Sequence, residues 1–288
     1  MTKGLPKGRH SKSQYDKRWV LNVRPKKSLS QNFLTNDRAT RRIVESLDLK
    51  KDDMVLEIGA GKGALTKYLI DKAKKVYAVE IDKRLCSYLQ RRFGNKKNLK
   101  LINKDILKIN FRDLIGPGSF CKVVGNLPYQ ITSPVLSLLL ENKGFITLGV
   151  LMLQKEVALR ICAVPGNRDW SPLSIAVQLY SDVEILFHLK PGSFSPSPRV
   201  DSTVIQMVFL SEPRVRVPDE KLFFCVVRKA FGQRRKMLIN SLSTNLDLPK
   251  KEIEVILNKI DIDPRRRAET LSLNEFATLS SAMNEVLN

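Results

Sequence analysis

Between residues 40 and 210 the chain alternates short apolar runs with amphipathic stretches, and this alternation restricts the fold more than any other feature. The pattern predicts strands over 54–58, 75–79, 99–103, 122–125 and 147–153, and helices over 40–49, 63–72, 83–93, 111–115, 133–141 and 155–163. Two further β runs, 183–189 and 203–210, lie close together and call for an antiparallel strand. Strands separated by helices give a mostly parallel sheet covered on both faces, an α/β, Rossmann-like fold. After Pro213 the alternation stops, and 222–242, 250–260 and 273–287 read as helices. The expected division is a basic arm at 1–25, a Rossmann-like domain at 26–211 and a small all-helical domain at 212–288.

The charge balance narrows the partner. Lys and Arg number 50 against 29 Asp and Glu, a net charge of +21. Such an excess points to a polyanion, with nucleic acid first; a generally basic proteome is the plainer alternative. Nine of the basic residues fall in the first 30 positions against one acid, Asp16, and Gly4, Pro6, Gly8 and Pro25 argue against a long helix there. A flexible basic arm is expected, with a transit peptide as its rival. No apolar run approaches the ~20 residues of a membrane span, so no membrane partner is expected. Cys86, Cys121, Cys162 and Cys225 form no C-x-x-C pair, and His10 and His188 are the only histidines. Neither a metal site, a disulfide framework nor His-based acid–base chemistry is expected.

Glu57-Ile58-Gly59-Ala60-Gly61-Lys62-Gly63 follows a predicted strand and opens a predicted helix. Alternate glycines permit a tight turn and close approach of a ligand. Glu80 ends the next strand, where a carboxylate can accept both ribose hydroxyls, and Asp105 follows the third, where it can meet an adenine edge. A dinucleotide loop needs G-x-G-x-x-G; here the third glycine comes one residue early. Acidic Glu57 before the loop should repel a pyrophosphate and suit a cationic ligand. The loop therefore favours S-adenosylmethionine over NAD.

Asn126-Leu127-Pro128-Tyr129 ends the fourth strand. The Asn126 oxygen and the Leu127 carbonyl can both accept hydrogen bonds from one exocyclic amine. Pro128 fixes the backbone that aims them, and Tyr129 offers a face on which a base can stack. Alone, the stretch reads equally as an ordinary strand-ending turn.

These motifs occur in a fixed order with Ser30-Gln31-Asn32-Phe33-Leu34 before them and Phe194-Ser195-Pro196-Ser197-Pro198-Arg199-Val200-Asp201-Ser202 after. Over residues 26–285 the chain resembles the ribosomal RNA adenine N6,N6-dimethyltransferases. The resemblance implies that Asn32 and Leu34 close over the methionine end of the cofactor and that Gly59 lines the cofactor loop. It implies that Glu80 holds the ribose, Asp105 the adenine amine and Asn126 the target N6, and that Tyr129 and Phe194 sandwich the flipped base. One branch of the family modifies two adjacent adenosines in the 3′-terminal hairpin of small-subunit rRNA. Another modifies a large-subunit adenosine and confers macrolide resistance, and a third, mitochondrial, doubles as or has become a transcription factor; a macrolide-resistance-type methyltransferase and a non-catalytic RNA-binding assembly or transcription factor with the same fold are the alternative readings. Ala230-Phe231-Gly232-Gln233-Arg234-Arg235-Lys236 and Arg267-Ala268-Glu269-Thr270-Leu271-Ser272 resemble the small-subunit branch. Arg228, Lys229, Arg234, Arg235 and Lys236 are then expected to meet rRNA phosphates. A monomeric cytoplasmic enzyme of ribosome biogenesis, acting on the immature small subunit, is implied; the long basic arm keeps an organelle as the alternative.

Overall fold

The computed structural model describes residues 31–287; the arm at 1–25, and Ser30 of the Ser30–Leu34 motif, lie outside the described residues. The chain runs β1 (Phe33–Leu34), α1 (Asp37–Glu45), β2 (Met54–Ile58), α2 (Thr66–Leu69), β3 (Lys75–Val79), α3 (Lys83–Phe93) and β4 (Leu99–Ile102). It continues through α4 (Phe111–Ile115), β5 (Cys121–Asn126), α5 (Thr132–Glu141), β6 (Ile146–Gln154), α6 (Lys155–Ile161), α7 (Pro172–Tyr180) and β7 (Ser181–Leu189). Last come β8 (Phe194–Ser195), β9 (Ser202–Phe209), α8 (Glu220–Phe231), α9 (Leu238–Leu246), α10 (Lys250–Lys259) and α11 (Leu273–Leu287).

Seven strands form one sheet in the order β4-β3-β2-β5-β6-β9-β7. Neighbours from β4 to β6 pair in parallel, and β9 runs antiparallel to both β6 and β7. Alternate strand residues point to opposite faces. Val55, Val76, Ala78 and Val124 join α1, α2 and α3 in one core, while Leu56, Ile58, Val79 and Val123 join α4, α5 and α6 in the other. Helix α3 shows why such segments were legible. Asp82 caps it by accepting from the Arg84 amide at 3.0 Å, and Leu85, Leu89 and Phe93 recur at helical spacing on its buried side.

The helix expected over 63–72 shrinks to Thr66–Leu69, because the loop residues before it adopt left-handed conformations. Gly61 and Gly63 have φ of +58° and +76°. A Cβ on Gly63 would lie 2.6 Å from the Phe93 ring, so the position is closed to any side chain by both strain and space. Helix α7 was not expected; its apolar residues run on without a period.

The single helix expected over 222–242 is two helices, α8 and α9, with Arg234, Arg235 and Lys236 in the turn between them. The break is built by side chains of α9. The Ser241 hydroxyl lies 2.7 Å from the Ala230 carbonyl, and Asn245 donates to the Lys229 carbonyl at 3.1 Å, so α8 ends satisfied. Gly232 permits this approach, since a Cβ there would meet the Asn245 amide at 2.7 Å. The C-terminal helices share their core with α7: Trp170, Ile175, Leu179 and Tyr180 pack with Phe223, Leu242, Leu257 and Phe276. The Trp170 indole donates to the Leu271 carbonyl at 2.9 Å.

Candidate active site

Strands β3 and β4 extend the sheet on one side of β2, and β5 and β6 on the other. Open α/β sheets bind ligands at the carboxyl ends of the strands where the order reverses. Here Ile58 pairs with Gly125, which brings the glycine loop beside Asn126. A Cβ on Gly125 would lie 2.9 Å from the Ile58 carbonyl oxygen, so only glycine allows this approach.

A cavity of about 240 Å³ opens at that point. It brings together Asn32, Gly59, Glu80, Asp105, Asn126, Leu127, Pro128, Tyr129 and Phe194. Residues that the sequence reasoning passed over complete it, chiefly Phe33, Ile81, Leu85 and Ile106. Leu34 stands apart: it is buried in the core, and lines only a smaller recess behind the glycine loop with Lys62 and Asn126.

The mouth is crossed by a short strap. β1 pairs with β8, Phe33 opposite Ser195 and Leu34 opposite Phe194, and the Thr35 amide donates to the Ser193 carbonyl at 2.9 Å. The Asn126 side-chain amide donates to the Asn32 main-chain carbonyl at 2.9 Å. That bond assigns the nitrogen to the strap and leaves the side-chain oxygen as the acceptor of a residue that lines the cavity. The Tyr129 hydroxyl lies 3.2 Å from that of Ser202, which fixes the ring at the cavity edge. Phe194 is buried yet still lines the cavity. Leu127 is a core side chain, 1% exposed, so only its main chain serves the site.

Glu80 is buried and accepts from the Gly61 amide at 2.9 Å and the Asp82 amide at 2.8 Å. Burial pushes its pKa up, and the two amides oppose that rise. Asp105 accepts from the Leu107 amide at 3.0 Å, capping the start of a 3₁₀ turn at the cavity edge. Glu57 requires a correction. It was expected to face a cationic ligand, but it points beneath the loop, accepts from the Thr66 hydroxyl at 2.7 Å and is absent from the cavity lining. Burial pushes its carboxyl up to about 8, so it is largely protonated at neutral pH. Its place in the strand explains this: Glu57 alternates with Leu56 and Ile58, which face the opposite core.

The expected RNA-contact residues lie away from the cavity, at the end of α8 and in the turn after it. Arg228, Arg234, Arg235 and Lys236 are exposed and Lys229 is half-buried. Arg234 is paired with Glu269 at 3.3 Å, so part of its charge is already spoken for. Among the described residues no helix is long and apolar enough to cross a membrane, and no cluster of three or more His, Cys, Asp or Glu could hold a metal.

A sequence model of the family described as ribosomal RNA adenine dimethylase matches residues 22–285. A Clostridium botulinum protein named ribosomal RNA small subunit methyltransferase A is 45% identical over 261 residues, covering 91% of this chain and 94% of its own. A Clostridium perfringens protein of the same name is 44% identical, covering 93% of each chain. Among solved structures, a dimethyladenosine transferase from Plasmodium falciparum superimposes with a TM-score of 0.77 at 28% identity, over 88% of this chain and 98% of that one. The 23S rRNA methyltransferase ErmE gives 0.69 at 25% identity, over 88% and 100%.

Proposed function

The chain belongs to the ribosomal RNA adenine dimethylase family, and from that membership we propose that it dimethylates N6 of two adjacent adenosines in the 3′-terminal hairpin loop of small-subunit rRNA. Its relatives at 44–45% identity are named for the small subunit, whereas the large-subunit enzyme resembles it at 25%. The observation that carries the chemistry is the Asn126–Asn32 bond, which commits the amide nitrogen and leaves the oxygen of this cavity-lining residue to accept from a substrate. The substrate is the immature small subunit, and the enzyme works as a cytoplasmic monomer. The sheet domain at 26–211 carries the chemistry, and the helices at 212–288 meet rRNA through Arg228, Lys229, Arg234, Arg235 and Lys236.

The cavity fits S-adenosylmethionine. Ile81, Leu85 and Ile106 form an apolar slot beside Asp105 that suits a purine, and Glu80 faces the same space from the end of β3. Gly59 lines that space as bare backbone, so a ligand can approach the loop closely. When bound, the cofactor supplies a methyl group on a sulfonium, an activated leaving group. Glu80 would hold the ribose and Asp105 the adenine, with Asn32 closing the methionine end.

The target adenine must leave its stack, which costs a few kcal/mol and is cheapest in a loop. Tyr129 and Phe194 would receive its faces. The N6 lone pair is delocalised into the ring, so the amine is a poor nucleophile. The Asn126 side-chain oxygen and the Leu127 carbonyl accept its two hydrogens and draw them out of the ring plane, which localises the lone pair toward the methyl. Positioning and electrostatics supply the acceleration. The alkylated ammonium is acidic and sheds its proton without a strong base.

The test is tritiated methyl transfer to unmethylated small subunits, with the products mapped. Two dimethylated neighbouring adenosines are expected. Asn126→Ala should lower the rate ~10²–10³-fold while retaining cofactor binding, the cost of losing one aligned acceptor. Near-normal turnover would refute the mechanism, and methylation confined to a large-subunit adenosine would refute the substrate.

A further inference from the structure

We propose that the face formed by α1, the glycine loop and α3 is a second docking surface for RNA, which grips the phosphates of a duplex stem flanking the target nucleotide. The proposal rests on the reading of the substrate as rRNA. Its charged residues lie within 37–92, with Phe33, Phe93 and Phe187 among the rings beneath them, and it is separate from the turn at 234–236.

Its basis is a set of cations laid on aromatic rings. The Arg41 guanidinium lies 4.7 Å from the centre of Tyr68, and the Lys67 ammonium 4.5 Å from the same ring. Arg42 lies 4.1 Å from Phe187, Lys62 4.8 Å from Phe33 and Arg92 4.9 Å from Phe93. Counting Arg92 over Tyr88, six of the eight such contacts among the described residues fall here, so the arrangement is local and does not simply follow the basic composition.

The face is continuous. Asp37 accepts from the Tyr68 hydroxyl at 2.6 Å, from Lys67 at 2.5 Å and from Arg41 at 3.0 Å, which ties α1 to α2. Arg92 donates to the Lys62 carbonyl at 3.2 Å, which ties α3 to the loop. Phe33, beneath Lys62, lines the cavity, so the face begins at its rim.

Arg38, Arg41, Arg42 and Arg92 are exposed. Together with Lys62 and Lys67 they outnumber the nearby carboxylates, Asp37 and Glu45, by four charges. An ordinary solvated face carries mobile side chains that lose their freedom when they meet a phosphate. Here stems and guanidinium groups already rest on rings; Arg41, Arg42 and Arg92 each spend one nitrogen within the fold, on Asp37, the Leu186 carbonyl and the Lys62 carbonyl, and their other N–H groups can meet phosphate oxygens. A dense, pre-ordered cationic face is complementary to a regular phosphate backbone.

The test measures fluorescence anisotropy of a labelled RNA hairpin with unmethylated loop adenosines, bound to the full chain across a range of KCl concentrations. The surface variant is Arg41→Gln/Arg42→Gln/Arg92→Gln. The control, Lys108→Gln/Lys250→Gln/Lys251→Gln, removes the same charge elsewhere. Each lost phosphate contact should lower the salt slope by about 0.9, so the surface variant should fall by about 2–3 and the control by far less. S-adenosylmethionine affinity should be unchanged in both. If the triple variant fails to fold, Arg38→Gln/Arg42→Gln leaves the Asp37 cluster and the Arg92 bond intact and should lower the slope by about 1–2. A wild-type slope in a folded surface variant, or an equal fall in the control, overturns the proposal. If the wild-type protein does not bind the hairpin, binding to immature small subunits decides: failure there too sinks the rRNA reading and this surface with it, whereas binding there without binding the hairpin overturns the stem-gripping surface alone.

Discussion

Replacing Glu57 with Gln separates two roles that a carboxyl at the start of a glycine loop can play. The side chain is 1% exposed and its recorded partner is Thr66. Its pKa rises from 4.5 to about 8, chiefly through burial. The folded protein therefore holds a proton there that the unfolded chain releases above about pH 4.5. The sign follows: a group that binds more protons when folded costs stability as pH rises, here between pH 4.5 and 8. The full rise corresponds to at most about 5 kcal/mol, and relaxation around the buried carboxylate should leave about 2–3 kcal/mol. Glutamine keeps the shape and an acceptor for Thr66 but carries no titrating proton. Urea unfolding from pH 5 to pH 8.5 should show wild-type stability falling relative to Glu57→Gln, with the gap closing again toward pH 5. At pH 7 the variant should bind S-adenosylmethionine as the wild type does. A pH-independent difference would refute the buried, protonated state, and a tenfold or larger loss of cofactor affinity would show that Glu57 acts on the ligand after all.

Glu80→Ala removes the carboxylate that faces the cavity from β3, and calorimetry should show cofactor affinity reduced by one to two orders of magnitude, about 1.4–2.8 kcal/mol; unchanged affinity would remove Glu80 from the site. Tyr129→Phe and Ser202→Ala each delete one end of the hydroxyl contact at 3.2 Å. Each should slow methyl transfer by about 2–10-fold, the worth of one hydrogen bond. The double variant should be no worse than either single one, and additive losses would mean that the contact does not orient the ring.

The strands at 54–58 and 75–79 and the helices at 83–93, 111–115 and 273–287 were readable residue for residue, because cap, period and turn agree there. Pro172–Tyr180 escaped because its polar side, Ser174 and Gln178, is turned inward onto the Arg160 and Ile161 carbonyls, so no solvent-facing side marks its turns. The division of 222–242 escaped because α8 and α9 are both amphipathic and the only break signal, Gly232, matters through a side chain thirteen residues on. The strap was legible as a motif but not as structure, since two-residue strands leave no pattern. The cavity residues Glu80, Asp105 and Asn126 could be found because strand ends converge where the sheet order reverses. The orientation of Glu57 lay in the alternation of its strand, which outweighs its nearness to the loop.

The strap is fastened late in the chain. The glycine loop and Asn126 exist once the first 126 residues are made, yet Phe33 and Leu34 find their partners only at Ser195 and Phe194. Thr35 and Ser193 are separated by 158 positions, and closing so long a loop is slow even where it is affordable. A chain ending before residue 193 lacks the partners of residues 33–35, and lacks β9, which joins β6 to β7 in the sheet. The mouth therefore closes only after the chain has passed residue 195, long after the strand ends that line it have been made.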